Sequence, residues 1–128
     1  MNQRNRITIL YVDDEKDNLV VFKANFDRKF HVITSISPIS AFNELDRHHN
    51  EIIVVLSDMR MPVMNGVEFV RKAQAKYNDI YYCILTGYGY DDQVQRAMED
   101  NIIYAFFQKP FNPKEIESTI LKVAEKRI

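Results

Sequence analysis

Acidic, hydroxyl and basic side chains stand at the ends of apolar runs, and their types suit one kind of chemistry. They are the pair Asp13-Asp14, then Asp58, Thr86 and Lys109. Clustered carboxylates repel one another unless they bind a hard cation, and Mg²⁺ prefers a few carboxylates together with water and phosphate oxygens. An aspartate can act as the nucleophile that takes a phosphoryl group, while a lysine and the cation neutralise charge on the transferring oxygens. These residue types therefore indicate phosphoryl transfer onto a carboxylate.

Each of these residues also has an ordinary structural interpretation. Asp13 or Asp14 would serve as a helix cap, Asp58 as the start of a turn, Thr86 as a β-branched strand residue and Lys109 as a solvated loop charge. For the site to be absent, all of these interpretations must hold together. The agreement of residue types at every position argues against that coincidence.

A scaffold that gathers these residues is predicted by five short runs rich in β-branched and aromatic residues. The runs are Ile7–Val12, His31–Ile36, Ile52–Ser57, Ile80–Thr86 and Ile102–Phe107. Apolar residues between the runs recur with the 3.6-residue period of amphipathic helices. Such alternation predicts an α/β fold, a five-stranded doubly wound sheet of parallel strands. Because parallel strands all end at one edge, the candidate residues should converge at one rim, where ligands bind in such folds.

Helix boundaries carry their own sequence signals. Ser37-Pro38 and Asn112-Pro113 each place a capping side chain before a proline at the first helical position. Asn101, between a helical stripe and an apolar run, can adopt the left-handed conformation that ends a helix.

Composition limits the classes of function. The 128 residues are 46% hydrophobic, which is typical of one domain over residues 1–128. Seventeen basic and eighteen acidic residues give a net charge of −1, so no direct nucleic-acid binding is expected. The single Cys83 suits a reduced, cytoplasmic protein. No apolar stretch approaches the ~20 residues of a membrane span, and the polar start is no signal peptide.

Four motifs, each at the end of a predicted strand, occur in a specific order. They are Val12-Asp13-Asp14-Glu15, then Ser57-Asp58-Met59-Arg60-Met61-Pro62 with Asn65-Gly66, then Leu85-Thr86-Gly87, then Lys109-Pro110-Phe111. In this combination the chain resembles the receiver domain of two-component response regulators, the CheY-like family, from residue 7 to about residue 128. The resemblance implies a (βα)5 flavodoxin-like fold with strand order 2-1-3-4-5.

The resemblance also implies roles for the site residues. Asp58 would be the phospho-acceptor, and Asp14 would bind Mg²⁺ directly while Asp13 acts largely through water. The backbone carbonyl of Arg60 would supply another ligand. Lys109 would pair with the phosphoryl oxygens, and its bond to the following proline is usually cis in the family.

A switch is implied as well. Thr86 would move its hydroxyl to the new phosphoryl group, and Phe106 occupies the position of the family's switch aromatic, although an aromatic in a strand is also an ordinary core residue. The responding surface would comprise helix 91–100, strand 102–107 and helix 113–127. Phosphorylation would add negative charge, and Thr86 and Lys109 would reorganise to interact with it. That reorganisation would shift the conformation of this surface.

Two positions are expected to set how long the phosphoryl group lasts. In the family they lie two residues beyond the phospho-acceptor and two beyond the threonine, and here they are Arg60 and Tyr88. Both side chains are large enough to obstruct an attacking water. We therefore expect slow self-dephosphorylation, which a half-life of seconds at neutral pH would contradict.

The leading hypothesis is a phospho-acceptor rather than an enzyme. Its partners would be a sensor histidine kinase or phosphotransfer protein, a downstream output domain or target, and in a homodimer a second copy bound through the responding surface. One alternative is a small aspartate-nucleophile phosphatase, but such enzymes carry Asp-x-Asp on the first strand, whereas Asp13 and Asp14 are adjacent, and the chain has no room for a substrate cap. The other is an unphosphorylated pseudo-receiver, but degenerate versions normally lack an acid or the lysine, and neither is missing.

Overall fold

The computed structural model describes residues 6–87 and 91–126, which form five strands and five helices in strict alternation. In chain order these are β1 (Thr8–Val12), α1 (Lys16–Phe26), β2 (His31–Ser35), α2 (Pro38–His48), β3 (Ile52–Asp58), α3 (Gly66–Lys76), β4 (Tyr81–Thr86), α4 (Asp92–Glu99), β5 (Ala105–Gln108) and α5 (Pro113–Lys126). Within these two ranges, no helix has the length and apolar character needed to cross a membrane.

The strands form one parallel sheet in the order β2-β1-β3-β4-β5. This confirms the predicted doubly wound fold and its strand order. The register aligns the strand ends, because Asp58 pairs with Leu85 and Thr86 pairs with Gln108. Residues that follow different strands therefore meet at one edge, as expected of parallel strands.

Helices cover both faces of the sheet and enclose two cores. One core lies between the sheet and α2, α3 and α4, and we call it the α2–α4 core. The other lies between the sheet and α1 and α5, and we call it the α1–α5 core. All five residues of β1 and six of the seven residues of β3 are buried. Burial on both faces explains why these strands appear in the sequence as continuous apolar runs.

Alternation along the strands decides which layer each site residue faces, because successive side chains point to opposite faces of a sheet. Three site residues each come two positions after a side chain of the α1–α5 core: Asp13 after Tyr11, Asp58 after Leu56 and Lys109 after Phe107. Thr86 instead comes two positions after Ile84, which belongs to the α2–α4 core, and Phe106 packs against that same core. Asp13, Asp58 and Lys109 thus share one layer, and the predicted switch residues Thr86 and Phe106 share the other.

The structure confirms the predicted helix boundaries. The Ser37 hydroxyl accepts a hydrogen bond from the backbone N–H of Ser40 at 3.1 Å, and Asn112 Oδ1 accepts one from the N–H of Lys114 at 3.0 Å. Asn101 is left-handed, with φ of 59°. These contacts satisfy helix-terminal groups that would otherwise lack partners.

The predicted start of the last strand is wrong. Four strands begin and end within one residue of the predicted runs, but β5 begins at Ala105 rather than Ile102. The backbone N–H groups of Ile102 and Ile103 donate to the carbonyl of Ala97 at 2.9 and 3.3 Å, so these residues close the end of α4. Ile103 is buried in the α2–α4 core. The run is apolar because it packs under a helix end, which a short apolar run in a sequence does not distinguish from a strand.

Candidate functional site

Three aspartates gather at the carboxyl edge of the sheet. Asp13 and Asp14 follow β1, and Asp58 is the last residue of β3. One carboxylate oxygen from each of the three lies within 4.8 Å of the others. The structure therefore brings together the acidic residues for which the sequence predicted a shared rim.

Lys109 reaches this cluster from the end of β5. Its Nζ lies 2.7 Å from Asp58 Oδ1 and 3.4 Å from Asp13 Oδ2. Its backbone N–H donates to the carbonyl of Thr86 at 2.8 Å, which extends the β4–β5 pairing by one residue. The bond from Lys109 to Pro110 is cis, as expected. The ammonium thus forms a close ion pair with the predicted phospho-acceptor.

Asp13 is fully buried, and protein donors satisfy both of its oxygens. The backbone N–H of Glu15 donates to Oδ1 at 3.0 Å. Oδ2 accepts from the Tyr11 hydroxyl at 2.6 Å and from Asn18 Nδ2 at 3.1 Å, in addition to its contact with Lys109. These contacts explain how a charged side chain is tolerated without exposure to water. Sequence reasoning missed Tyr11 and Asn18, although period-two alternation already places Tyr11 on the same face of the strand as Asp13.

The surroundings shift the pKa of the groups in the ion pair. Burial raises the pKa of Asp58 above its usual range; the hydrogen bond from Lys109 opposes this shift, and the negative charges of Asp13 and Asp14 add to it. Burial disfavours the charged form of Lys109, but its hydrogen bond to Asp58 and the charges of Asp58 and Asp13 outweigh burial and raise its pKa. Burial and the hydrogen bond to Asp13 raise the pKa of Tyr11, so its hydroxyl remains a donor at neutral pH. Without a bound metal ion, the ionised form of Asp58 is therefore disfavoured, even beside the Lys109 ammonium.

Asp58→Asn is expected to stabilise the domain at pH 7 when divalent cations are chelated. The pKa of Asp58 is higher in the folded than in the unfolded protein, so its stabilising contribution is complete below the unfolded pKa and is lost as pH rises through the folded pKa. The neutral amide avoids that loss. We expect the unfolding midpoint to rise by about 2 °C or more, and this gain to shrink as pH falls through the folded pKa of Asp58.

Thermal unfolding at pH 7 and pH 5 in EDTA measures the difference. Saturating Mg²⁺ should reverse the order of stability at pH 7, because a ligand that binds only the folded state stabilises it. A variant that is less stable than the wild type in EDTA at pH 7 would contradict the electrostatic account.

An open cleft of about 510 Å³ lies beside the carboxylate cluster. Its lining includes Asp14, Arg60, Asn65, Thr86 and Gln93. Asn65 Nδ2 donates to Gln93 Oε1 at 3.2 Å, which joins the β3–α3 loop to the start of α4 across the cleft. Met59 and Arg60 both line the cleft, so it borders the end of β3.

The other predicted residues occupy different positions. Thr86 is buried at the end of β4 and contributes to the cleft, and Arg60 is exposed at its wall. Phe106 lies outside the cleft lining, half-buried on β5 and paired in register with Ile84. Tyr88 lies outside the described residues, so its predicted role stays a prediction.

The donor chemistry of the cluster fits a hard divalent cation. All of its side-chain donors are carboxylate oxygens, which are the ligands that Mg²⁺ prefers. The negative charges of Asp13 and Asp14 also raise the pKa of Asp58, and a bound cation would offset their repulsion. The residues present therefore fit the Mg²⁺ that the sequence predicts.

Comparison with known proteins finds similarity along most of the chain. A family model described as the response regulator receiver domain matches residues 9–121. The hydrogenase transcriptional regulatory protein HoxA of Cupriavidus necator is 29% identical over 118 residues, which are 92% of this chain and 24% of HoxA. Sporulation initiation phosphotransferase F of Bacillus subtilis is 26% identical over 115 residues, which are 89% of this chain and 90% of that protein. The chain thus spans about a quarter of the first relative and most of the second.

A solved structure shows the same architecture. The crystal structure of a response regulator receiver domain protein from Clostridium thermocellum matches with a TM-score of 0.88 at 25% sequence identity. The match covers 94% of this chain and 96% of that one.

Proposed function

Because the chain belongs to the response regulator receiver domain family, we propose that it is a cytoplasmic phospho-acceptor of a two-component system. Asp58 would be the accepting residue, and residues 1–128 would form one receiver domain. The observation that carries the proposal is the ion pair of 2.7 Å between Lys109 Nζ and Asp58 Oδ1, set among the carboxylates of Asp13 and Asp14. A nucleophilic carboxylate thus lies next to an ammonium group that can neutralise the incoming charge, and both lie beside an open cleft.

In the transfer step, an oxygen of the Asp58 carboxylate forms a bond to phosphorus. The bond between phosphorus and the leaving group breaks at the same centre, and the leaving group keeps the electron pair. That group is an imidazole nitrogen for a phosphohistidine donor and a carboxylate oxygen for acetyl phosphate. Lys109 already contacts Asp58, so its ammonium is placed to neutralise charge on the transferred oxygens. The domain assists its own modification, which differs from turnover by an enzyme.

We propose that four groups hold Mg²⁺, namely the side chains of Asp13, Asp14 and Asp58 and the backbone carbonyl of Arg60. When bound, the ion would supply positive charge for the phosphoryl oxygens. Protein donors already satisfy both oxygens of Asp13. That satisfaction supports an indirect role for Asp13, through water, and leaves direct coordination to Asp14 and Asp58.

The phosphoryl group would then act as a switch. It adds a charge of ~−1.5 to −2 and strong acceptor oxygens. The side chains of Thr86 and Lys109 would move to interact with these oxygens. Thr86 and Phe106 share the face of the sheet toward the α2–α4 core, so movement of Thr86 would bias the surface formed by α4, β5 and α5. We propose this surface as the site for an output domain, a target protein or a second copy of the chain. A protein phosphodonor, a histidine kinase or phosphotransfer protein, would approach at the cleft.

Phosphorylation of the wild type and of Asp58→Asn by acetyl phosphate in the presence of Mg²⁺ tests the proposal. Intact mass should show a gain of one phosphoryl group in the wild type, and none in Asp58→Asn or in the wild type with EDTA. Asp17→Asn removes an exposed carboxylate of α1 and is the matched control, which should be phosphorylated like the wild type. An equal mass gain in Asp58→Asn, or no gain in the wild type, would reject the assignment of Asp58.

A further inference from the structure

Tyr11 lies directly behind the carboxylate cluster and is 1% exposed. Its ring stacks on Phe22, with the centroids 4.0 Å apart and the planes 13° apart. Phe22 in turn contacts Phe26 and Phe111, at centroid distances of 4.6 and 5.7 Å. The packed aromatic rings therefore fix the Tyr11 hydroxyl at its position 2.6 Å from Asp13 Oδ2.

Asp13 Oδ2 has more donors than it needs. A carboxylate oxygen offers two lone pairs, and the two shorter contacts come from Tyr11 at 2.6 Å and Asn18 at 3.1 Å. Lys109 Nζ is the third donor at 3.4 Å, and it lies 0.7 Å closer to Asp58, at 2.7 Å. The ammonium of Lys109 is thus shared unequally between Asp13 and Asp58. The Tyr11 hydroxyl occupies a lone pair of Asp13 Oδ2 that the ammonium would otherwise use.

We propose that Tyr11 is a positioning residue of the phosphoryl-transfer site: by satisfying Asp13, its hydroxyl keeps the Lys109 ammonium on Asp58. This inference rests on the proposed function. Without the hydroxyl, the fully buried carboxylate of Asp13 would lose its shortest donor, and an uncompensated buried charge is costly. The flexible stem of Lys109 would carry the ammonium toward Asp13. The nucleophile would then lose the cation that neutralises the incoming phosphoryl oxygens.

Tyr11→Phe tests the inference because it keeps the ring and its stacking and removes only the hydroxyl. Tyr82→Phe is the matched control: Tyr82 is also 1% exposed in a central strand, and its hydroxyl donates to the carbonyl of Tyr77 at 2.9 Å, away from the site. At saturating Mg²⁺, phosphorylation by acetyl phosphate should slow about tenfold in Tyr11→Phe. In Tyr82→Phe the rate should change less than about twofold.

A double-mutant cycle with Lys109→Met separates positioning from a general loss of structure. If Tyr11 acts through Lys109, Tyr11→Phe should not slow phosphorylation further in the Lys109→Met background. The stability measured in EDTA should show the opposite pattern. There Tyr11→Phe should lower the unfolding midpoint more in the Lys109→Met background, because the ammonium is no longer available to compensate Asp13.

An unchanged rate in Tyr11→Phe, or equal proportional effects in both backgrounds on rate and on stability, would overturn the inference. Should Tyr11→Phe fail to fold, Asn18→Ala removes another donor to the same oxygen and should shift the rate in the same direction. A wild type that accepts no phosphoryl group would instead reject the proposed function, and the metal-free stability cycle would still measure the coupling between Tyr11 and Lys109.

Discussion

Gly66→Ala is expected to lower the free energy of unfolding by about 3 kcal/mol, the upper part of the usual range for overpacking. Gly66 is the first residue of α3, and its backbone N–H donates to the carbonyl of Met59 at 2.8 Å. A Cβ at this position would lie 2.4 Å from the backbone oxygen of Asp58 and 3.1 Å from Ile84 Cδ1. Since the first of these is a backbone atom, the start of α3 or the end of β3 must move.

Urea denaturation measures this loss, and Gly87→Ala is the matched control. A Cβ on Gly87 meets no heavy atom within 4 Å, so its effect should stay within about 0.5 kcal/mol. Because the displaced oxygen belongs to Asp58, phosphorylation of the folded Gly66→Ala fraction should also slow. Equal stability of the two alanine variants would show that the start of α3 does not pack against the backbone of Asp58 as described.

Lys109→Met is expected to slow phosphorylation of Asp58 about 100-fold or more, the usual cost of removing one preorganised charge-stabilising group. The methionine keeps much of the apolar stem and removes the ammonium that lies 2.7 Å from Asp58 Oδ1. Mg²⁺ should still bind at least as tightly, because the carboxylates would then have no competing cation. Mass spectrometry measures the rate, and calorimetry measures the affinity for Mg²⁺ without a phosphodonor.

Lys109→Met should also lower the free energy of unfolding in EDTA, and this loss of stability should depend on pH. The Lys109 side chain is 27% exposed, which reduces the cost below that of a fully buried ion pair. Loss of the ammonium raises the pKa of Asp58 further, so the deficit should shrink as pH falls and Asp58 is protonated. Lys29→Met removes the exposed ion pair with Glu117 at 2.9 Å and should cost less than about 1 kcal/mol at any pH. A Lys109→Met variant that loses Mg²⁺ binding together with phosphorylation would show that the lysine supports the metal site instead.

The convergence of the site could be predicted because it depends on one topological rule. Once the strands are parallel, Asp13, Asp58, Thr86 and Lys109 must share an edge, whatever the details of packing. The distances between them could not be predicted, since they depend on strand register and on side-chain rotamers. For the same reason, the sequence predicted an acidic cluster with a lysine but not the unequal sharing of that lysine between two aspartates.

Two local features show where sequence reasoning stopped. Asn65 and Glu68 have the spacing of a capping box, and the structure shows both reciprocal hydrogen bonds, at 2.9 and 2.8 Å. This spacing is a readable signal of a helix start, and the sequence predictions do not include it. The burial of Ile103 beneath the end of α4 is different, because its cause is tertiary packing and the local residue pattern carries no sign of it.

Asp13, Asp58 and Lys109 lie toward one helical layer, and Thr86 and Phe106 lie toward the other. The proposed phosphoryl-transfer groups and the proposed switch residues therefore occupy opposite faces of the sheet. Of the proposed output surface, α4 packs on the same side of the sheet as Thr86, whereas α5 packs on the same side as Asp58. Substitutions on the outer face of α4 can therefore change contacts with a partner without altering the layer toward which Asp13, Asp58 and Lys109 lie. A designer who wishes to redirect the signal should therefore change the outer face of α4 first and leave the packing around Asp13, Asp58 and Lys109 unaltered.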